Sequence, residues 1–295
     1  MKVGAFALKE PIPELKEPYV FAALWPWIDV GHVGKLILDD LERRFGARDL
    51  GAFVKPGTFF DFTRYRPTLF YDETGTRSLS IPNTTLRYAK RESGNDLLFL
   101  RLLEPHAQSE TFVDSILRVL KTLKVKKYIL LGSMSDTVPH TRPLIINGGA
   151  FGKEALADLK RSGALSGHYE GPTSIATLIT QKASGVNVES IWFIVSLPQY
   201  VNLEEDYIGK LRLMEVLSSL YHIPVDKKDY EKAAEQRELI NQQMEKTPEL
   251  KKIMPQIEFL YEARMRKGEG ERRAELPPEI EEILWKNIGK EPGKA

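Results

Sequence analysis

The 295-residue sequence contains no cysteine. Without a thiol, the chain cannot form a disulfide, use a thiolate nucleophile or hold zinc through cysteine ligands. Several redox, hydrolytic and metal-dependent chemistries are excluded on this ground alone.

An excess of charge of one sign is also missing, because 42 Lys and Arg residues balance 41 Asp and Glu residues. Proteins that bind nucleic acid or anionic lipid attract these polyanions with basic surfaces, so we expect neither partner.

No apolar run approaches the roughly 20 residues of a membrane-spanning helix. The opening segment, MKVGAFALKEPIPELKEP, becomes charged and proline-rich before a signal-peptide core forms. The sequence therefore predicts a cytoplasmic protein.

The motifs of the common nucleotide and hydrolase sites are lacking as well. DVGHVGKL (29–36) has Asp29 where a phosphate-binding P-loop needs glycine, and Leu36 where it needs Ser or Thr. No G-x-G-x-x-G follows the first predicted strand, and GSMSD (132–136) lacks the second glycine of a nucleophile elbow. The five histidines show no i, i+4 pairing of a helical zinc site. We expect no cofactor and no metal.

Apolar runs alternate with amphipathic helix patterns over the first 225 residues. The runs predict strands at 18–25, 50–55, 96–103, 126–132 and 190–197, and a hairpin at 68–81 with its turn at 73–75. The amphipathic patterns predict helices at 31–45, 110–123, 153–161, 173–183 and 206–220. This order predicts a three-layer α/β/α core domain over residues 1–225, with a mainly parallel sheet covered by helices on both faces.

Residues 226–295 predict a helical C-terminal extension. Asp226 fits the N-cap of a long charged helix, and Thr247-Pro248 fits the start of a second one. The second helix has an apolar stripe formed by Leu250, Met254, Ile257, Leu260 and Tyr261. We expect this stripe either to pack on the parent domain or to form a subunit or partner surface. A last short helix is predicted at 277–288.

Polar residues follow several of the predicted strands, and ligands of open parallel sheets bind beyond the carboxyl ends of the strands. The loops concerned are WPWIDVGHVG, EPHAQSE, SMSDTVPHTRP, HYEGPTS and PQYVN. We expect eight of their residues to lie along one edge of the sheet: Asp29, Glu104, Ser135, Asp136, His140, Arg142, Glu170 and Tyr200. None of them can be assigned as catalytic from the sequence.

SMSDTVPHTRP (133–143) has two interpretations. In a functional one, His140 is a general acid or base and Arg142 an anion clamp. In an architectural one, Pro139 and Pro143 fix the loop, and its polar side chains satisfy buried backbone groups. Arg142 should then pair with a carboxylate or with loop carbonyls. Glu104 and Glu170 are the candidate partners.

VPHTRP (138–143) also resembles the signature of the proteasome assembly chaperone 2 family. Similar segments follow one another in that family's order: DFTRYRP, YDETGTRSLSIPNTTLRY, the Glu104-Pro105 pair, YEGP and SLPQYV. The resemblance covers about residues 18–222.

The resemblance implies an α/β/α fold similar to that of purine nucleoside phosphorylase, and a self-associating protein for which a trimer is favoured. Relatives often have Pro-His-Tyr where this chain has Pro198, Gln199 and Tyr200, which argues against catalysis at that position. The hydrophobic-Tyr tail of the family's chaperones is not matched by the final Gly-Lys-Ala, so we do not expect docking through such a tail. Some relatives are labelled ATP-grasp proteins or carboxylate-amine ligases, but no phosphate-cradling loop or metal-binding carboxylate cluster supports that activity here.

Two functions remain as hypotheses. The first is a non-catalytic protein-binding or assembly-chaperone-like protein that acts as a homo-oligomer, through the sheet edge and the C-terminal helices. The alternative is a small-molecule-binding protein, or a hydrolase- or phosphorylase-like enzyme, that uses the strand-end cleft. This alternative rests on analogy of fold.

Overall fold

A computed structural model of the chain describes residues 1–166 and 171–267. The strands of this part are β1 (Lys2–Val3), β2 (Phe6–Leu8), β3 (Tyr19–Trp25), β4 (Arg48–Phe53), β5 (Thr68–Tyr71), β6 (Arg77–Ser80), β7 (Thr85–Ala89), β8 (Leu97–Leu103), β9 (Lys127–Asp136), β10 (Ile146–Phe151), β11 (Leu165–Ser166) and β12 (Glu189–Pro198). The α-helices are α1 (Val33–Arg44), α2 (Ser109–Thr122), α3 (Lys153–Ser162), α4 (Ile175–Lys182), α5 (Tyr207–Tyr221), α6 (Lys227–Glu245) and α7 (Pro248–Lys267). None of the helices in these residues is both long and apolar enough to cross a membrane.

Ten strands form one sheet in the order β1-β2-β4-β7-β8-β3-β9-β12-β10-β11, and β5 and β6 form a separate hairpin. The four central strands, β8, β3, β9 and β12, are parallel to one another. Antiparallel pairs extend the sheet on both sides of this centre. The α/β fold with a parallel sheet centre is therefore confirmed, and the complete sheet is mixed.

Helices cover both faces of the sheet. Along β3, Val20, Ala22 and Leu24 point into the core that contains α2 and α4. The alternate residues Phe21 and Ala23 point into the core that contains α1 and α5. Both faces of the central strands are buried in this way, which explains their continuous apolar runs.

The predicted strand and loop assignments need correction next to the VPHTRP segment, and β7 is not among the predicted strands. Residues 133–136 were expected in a loop, but β9 continues to Asp136 because β12 pairs with it in register, with Ser135 opposite Leu197. Residues 146–151, where the sequence predicts no strand, form β10, which pairs antiparallel with β12. The loop that carries the VPHTRP segment is therefore shorter than predicted.

The C-terminal helices begin where the sequence predicts. The carboxylate of Asp226 accepts the Lys228 N–H at 3.0 Å at the start of α6, and α7 begins at Pro248. Leu250, Ile253 and Ile257 of α7 are buried against Tyr200 of the same chain. The apolar stripe therefore packs on the parent domain and gives no argument for a subunit surface. The predicted helix at 277–288 lies outside the described residues.

Candidate functional site

Asp29, which follows β3, caps the first helix. Its Oδ1 accepts the Gly34 N–H at 2.6 Å, and its Oδ2 accepts the Lys35 N–H at 3.3 Å. The loop is also tied to β9, because the Ser133 hydroxyl donates to the Val30 carbonyl at 2.5 Å and the Ser133 N–H to the Ile28 carbonyl at 2.8 Å. Both oxygens of Asp29 are thus engaged at the helix N-terminus, where a carboxylate is favourable.

Gly132 makes this crossing possible. A Cβ atom at this position would lie 2.2 Å from the carbonyl oxygen of Ile28. Only a residue without a side chain allows the loop after β3 to cross β9 so closely.

Glu104, which follows β8, caps α4. Its Oε1 accepts the Ile175 N–H at 3.0 Å, and the Tyr65 hydroxyl donates to its backbone carbonyl at 3.1 Å. Burial raises the pKa of the Glu104 carboxyl. The side chain thus joins the loop after β8 to the start of a helix on one face of the sheet.

Arg142 pairs with carboxylates of α7, so its predicted pairing with Glu104 is wrong. Its Nε donates to Glu262 at 3.1 Å, and its Nη1 lies 3.4 Å from Glu258. The Thr141 hydroxyl also donates to Glu258. Glu170, the other predicted partner, lies outside the described residues. The pairing differs because α7 lies against the VPHTRP loop, whereas β8, which precedes Glu104, is two strands away from β9 in the sheet.

His140 is fixed by Tyr200. The backbone N–H of His140 donates to the Tyr200 hydroxyl at 2.8 Å, and its Nδ1 lies 2.8 Å from the same oxygen. Burial lowers the pKa of His140 and raises that of Tyr200. The geometry fits a neutral ring that accepts the hydroxyl proton at Nδ1. Both residues lie against α7, where the Tyr200 hydroxyl is 3.9 Å from the sulfur of Met254.

Asp136 belongs to a polar network that also holds α7. The Arg264 guanidinium donates to Asp136 Oδ2 at 2.9 Å and to Asn147 Oδ1 at 2.7 Å. The Ser196 hydroxyl joins them, since it donates to Asp136 at 2.7 Å and accepts from the Asn147 amide at 2.9 Å. Asp136, Asn147 and Ser196 are buried. The network connects the ends of β9 and β12 to the C-terminal helix.

The structure brings most of the predicted edge residues to the carboxyl ends of the strands, in separate small groups. Asp29 caps α1, and Glu104 caps α4. The other group lies along α7 and consists of Asp136, His140, Arg142 and Tyr200. Ser135 is exposed on β9. The partners on α7 were not predicted, although Glu258, Tyr261 and Glu262 share one helix face at i, i+3, i+4 spacing.

Within residues 1–166 and 171–267, no group of three or more His, Asp or Glu side chains is placed to hold a metal ion.

The edge of the sheet at the carboxyl ends of its strands also presents exposed apolar side chains. Trp25, Trp27 and Val30, here called the Trp edge, have 41% to 62% of their surface exposed. Trp25 ends β3, and Trp27 and Val30 lie in the following loop, which hydrogen bonds of Asp29 and Ser133 fix in place.

Two buried helix-capping carboxyls are expected to make stability depend on pH. Burial raises the pKa of Asp29 and of Asp206, the N-cap of α5, to about 6, against an ordinary value of 3.8, although backbone N–H groups oppose the shift. The folded state therefore binds these protons more tightly than the unfolded state, and the stabilisation present below pH 3.8 is lost as the pH rises through 6. Lowering the pH from about 7 to about 4.5 should gain about 2 kcal/mol for each group.

The measurement is urea unfolding at both pH values for the wild type and for the double variant Asp29→Asn, Asp206→Asn. We expect the wild type to gain stability relative to the variant at the lower pH. A difference between the two proteins that stays constant with pH would contradict the assignment.

Comparison with known proteins finds a matching family and solved structures with a similar fold. The family model described as the PAC2 family matches residues 23–246. The crystal structure of a PAC2 family protein from Streptomyces avermitilis is 25% identical with a TM-score of 0.70, and the match covers 80% of this chain and 98% of that one. The Mycobacterium tuberculosis proteasome-assembly chaperone homologue is 23% identical with a TM-score of 0.70, over the same shares of the two chains.

A more distant structure has the same fold. Pyrococcus furiosus PbaB, an archaeal proteasome activator, is 13% identical with a TM-score of 0.62, and the match covers 80% of this chain and 97% of that one. No protein of curated function matches the chain.

Proposed function

Because this chain belongs to the PAC2 family, we propose that it is a non-catalytic, assembly-chaperone-like protein that binds other proteins and acts as a homo-oligomer, with a trimer favoured. The likeness to a proteasome-assembly chaperone homologue and to a proteasome activator supports an assembly role. A cytoplasmic location, and the division into a core domain at 1–225 and a helical extension at 226–295, are parts of the same proposal.

The observation that carries the proposal is the Trp edge. Large aromatic side chains are enriched at the energetic centres of protein interfaces. Trp25 is exposed at the end of β3, and Trp27 is exposed on the loop that follows. Hydrogen bonds to β9 and the capping of α1 by Asp29 hold this loop in one conformation. A fixed apolar surface loses little conformational entropy when a partner covers it. The Trp edge therefore suits protein binding.

The polar residues of the same edge support this proposal over the enzymatic alternative. An active site in the strand-end cleft would need polar side chains that are free to contact a substrate. Asp29 and Glu104 instead accept backbone N–H groups of helices, and Arg142 pairs with α7. The pairing of Arg142 with α7 favours the architectural interpretation of the VPHTRP loop.

Cross-linking in cells, followed by mass spectrometry, tests the proposal. We expect wild-type chain to cross-link to other proteins through the loop at 25–30, and Trp27→Ala to lose at least about nine-tenths of these products, as at an interface hot spot. Tyr230→Ala, an exposed aromatic of α6, is the matched control and should retain them. A stoichiometric small molecule bound to the purified chain in native mass spectra, with cross-links unaffected by Trp27→Ala, would favour the enzymatic alternative.

A further inference from the structure

A cavity of about 300 Å³ lies where the central parallel strands begin, at the edge of the sheet opposite the Trp edge. Tyr19 and Lys127 are the first residues of β3 and β9 and lie opposite each other in register. Tyr221, the last residue of α5, lines the cavity with them, and α3 contributes Asp158 and Arg161. The volume is at the lower end of the range of small-molecule pockets. We call this space the amino-end cavity.

Lys127 places a buried positive charge in the wall of the amino-end cavity. Its side chain is 3% exposed and pairs with Asp158, which is also buried. The ammonium nitrogen lies 5.4 Å from the ring centre of Tyr19 and 5.6 Å from that of Tyr221, distances at which an aromatic ring attracts a cation. The two rings and the carboxylate therefore hold the charge at the cavity.

Arg161 adds a second positive charge to the same carboxylate. Its Nη2 donates to Asp158 Oδ1 at 2.5 Å, so one carboxylate faces the two cations Lys127 and Arg161. This group of three side chains has an excess of positive charge. A guanidinium has five N–H donors, and among the described residues only Nη2 of Arg161 has a partner. The remaining donors suit a second carboxylate, which matches the planar fork of arginine.

The hydroxyl of Tyr221 is a further donor at the cavity. The residue is 7% exposed, and its hydroxyl makes no hydrogen bond within the part of the chain that the structure describes. Burial raises the pKa of Tyr221, and the nearby Asp158 carboxylate adds to the shift, so the hydroxyl keeps its proton at neutral pH. A buried donor without an acceptor costs free energy. An acceptor bound in the cavity would remove this cost.

The carboxylates at the rim do not cancel the positive charge inside. Glu154 lies 3.9 Å from Lys126, and Glu17 lies 3.6 Å from the same ammonium group. Both glutamates are at least 60% exposed, so solvent and salt screen them. The free donors of the amino-end cavity therefore still favour an anion.

The rest of the lining determines which kind of anion fits. The rings of Tyr19 and Tyr221 and the side chain of Leu220 are apolar surfaces, which favour a ligand with an apolar body. A single negative charge balances the excess of the Lys127, Asp158 and Arg161 group. A phosphate dianion would bring a second negative charge close to buried Asp158, where charges are poorly screened.

We infer that the amino-end cavity binds a small carboxylate with an apolar body, whose carboxylate accepts hydrogen bonds from Arg161 and from the Tyr221 hydroxyl. The apolar body lies against the tyrosine rings and Leu220. This site goes beyond the proposed function, because it lies at the opposite edge of the sheet and uses none of the residues of the Trp edge.

Calorimetric titration of the full chain with benzoate tests the inference. Benzamide has the same shape without the charge, and acetate has the charge without the ring. We expect both, and inorganic phosphate, to bind at least about tenfold more weakly than benzoate, because charge-assisted hydrogen bonds and apolar burial are each needed. No binding at about 10 mM benzoate, which corresponds to less than about 3 kcal/mol, would overturn the site. Equal affinity for benzamide, or tighter binding of phosphate, would overturn the class of ligand.

Variants of single side chains identify the cavity as the place of binding. Arg161→Gln should weaken benzoate binding at least about tenfold. Lys160→Gln removes the same charge from an exposed neighbour on α3 and should change it less than about twofold, because solvent screens exposed charges. An Arg161→Gln protein that binds benzoate as the wild type does would contradict the assignment.

Tyr221→Phe separates ligand binding from stability. It keeps the ring and removes only the hydroxyl, so it should weaken benzoate binding at least about threefold without lowering the free energy of unfolding. Unchanged binding, or a loss of stability as large as that of a broken hydrogen bond, would overturn the role of the hydroxyl. Trp27→Ala should bind benzoate as the wild type does, so the result is independent of protein binding at the Trp edge.

Discussion

Replacing Lys210 by Met is expected to lower the free energy of unfolding by about 3–5 kcal/mol, the usual loss when one member of a buried ion pair is removed. The Lys210 ammonium lies 2.5 Å from Asp229 Oδ1 and 3.5 Å from Asp40 Oδ2. All three side chains are 6% exposed or less. Without the lysine, the two carboxylates lose the cation between them, and the far oxygen of Asp229 is already buried without a hydrogen bond.

Urea unfolding measures this loss, and Lys227→Met is the matched control. Lys227 forms an i, i+4 pair with Glu231 on α6, and its side chain is almost fully exposed, so its removal should cost no more than about 0.5 kcal/mol. The double variant Lys210→Met, Asp229→Leu should recover part of the loss, because it removes a buried charge together with its partner. A Lys210→Met protein as stable as the control would contradict the importance of this pair.

This ion pair also shows what the sequence could not predict. Asp40 lies on α1, Lys210 on α5 and Asp229 on α6, and each reads in the sequence as one more charge on an amphipathic helix. Only the packing of the three helices brings the charges together. Charged residues on predicted helices therefore do not reveal which of them are buried.

The strands of the main sheet also fall into two groups, those that the sequence predicts and those that it does not. The central strands were predicted because burial on both faces requires continuous apolar runs, as in YVFAALW of β3 and LLFLRLL of β8. The flanking strands β7 and β10, TLRYA and INGGAF, were missed because polar residues and glycines weaken their pattern. Their pairing is imposed by strands that are already in place.

The VPHTRP segment follows β9, as the sequence predicts, but its contacts with α7 were not predicted. Topology alone puts Asp136 and Arg142 at the end of β9. The carboxylates that bind Arg142 lie 116 and 120 residues later on α7, and the docking of that helix was one of two alternatives. Knowing that the stripe of α7 packs on its own domain would have made Glu258 and Glu262 the natural partners.

Replacing Arg264 by Met is expected to loosen α7 with a loss of about 2–3 kcal/mol, below the full value for a buried pair because the arginine is 24% exposed. Its guanidinium is the cation that reaches buried Asp136 from α7, and it also binds the Asn147 amide. Methionine keeps much of the side-chain length but cannot donate to either oxygen. Asp136 keeps the Ser196 hydroxyl and the Thr137 N–H, so the core strands should remain folded.

Arg142→Ala is the control for this variant. Arg142 is 38% exposed, and its partners on α7 are partly exposed as well, so solvent screening should limit its loss to about 1 kcal/mol or less. Hydrogen exchange should show amides of α7 losing protection in Arg264→Met, while those of β3 and β9 keep theirs, because local unfolding follows local contacts. A larger loss for Arg142→Ala than for Arg264→Met would mean that the exposed pairs with Glu258 and Glu262, rather than the buried network around Asp136, hold the helix on the domain.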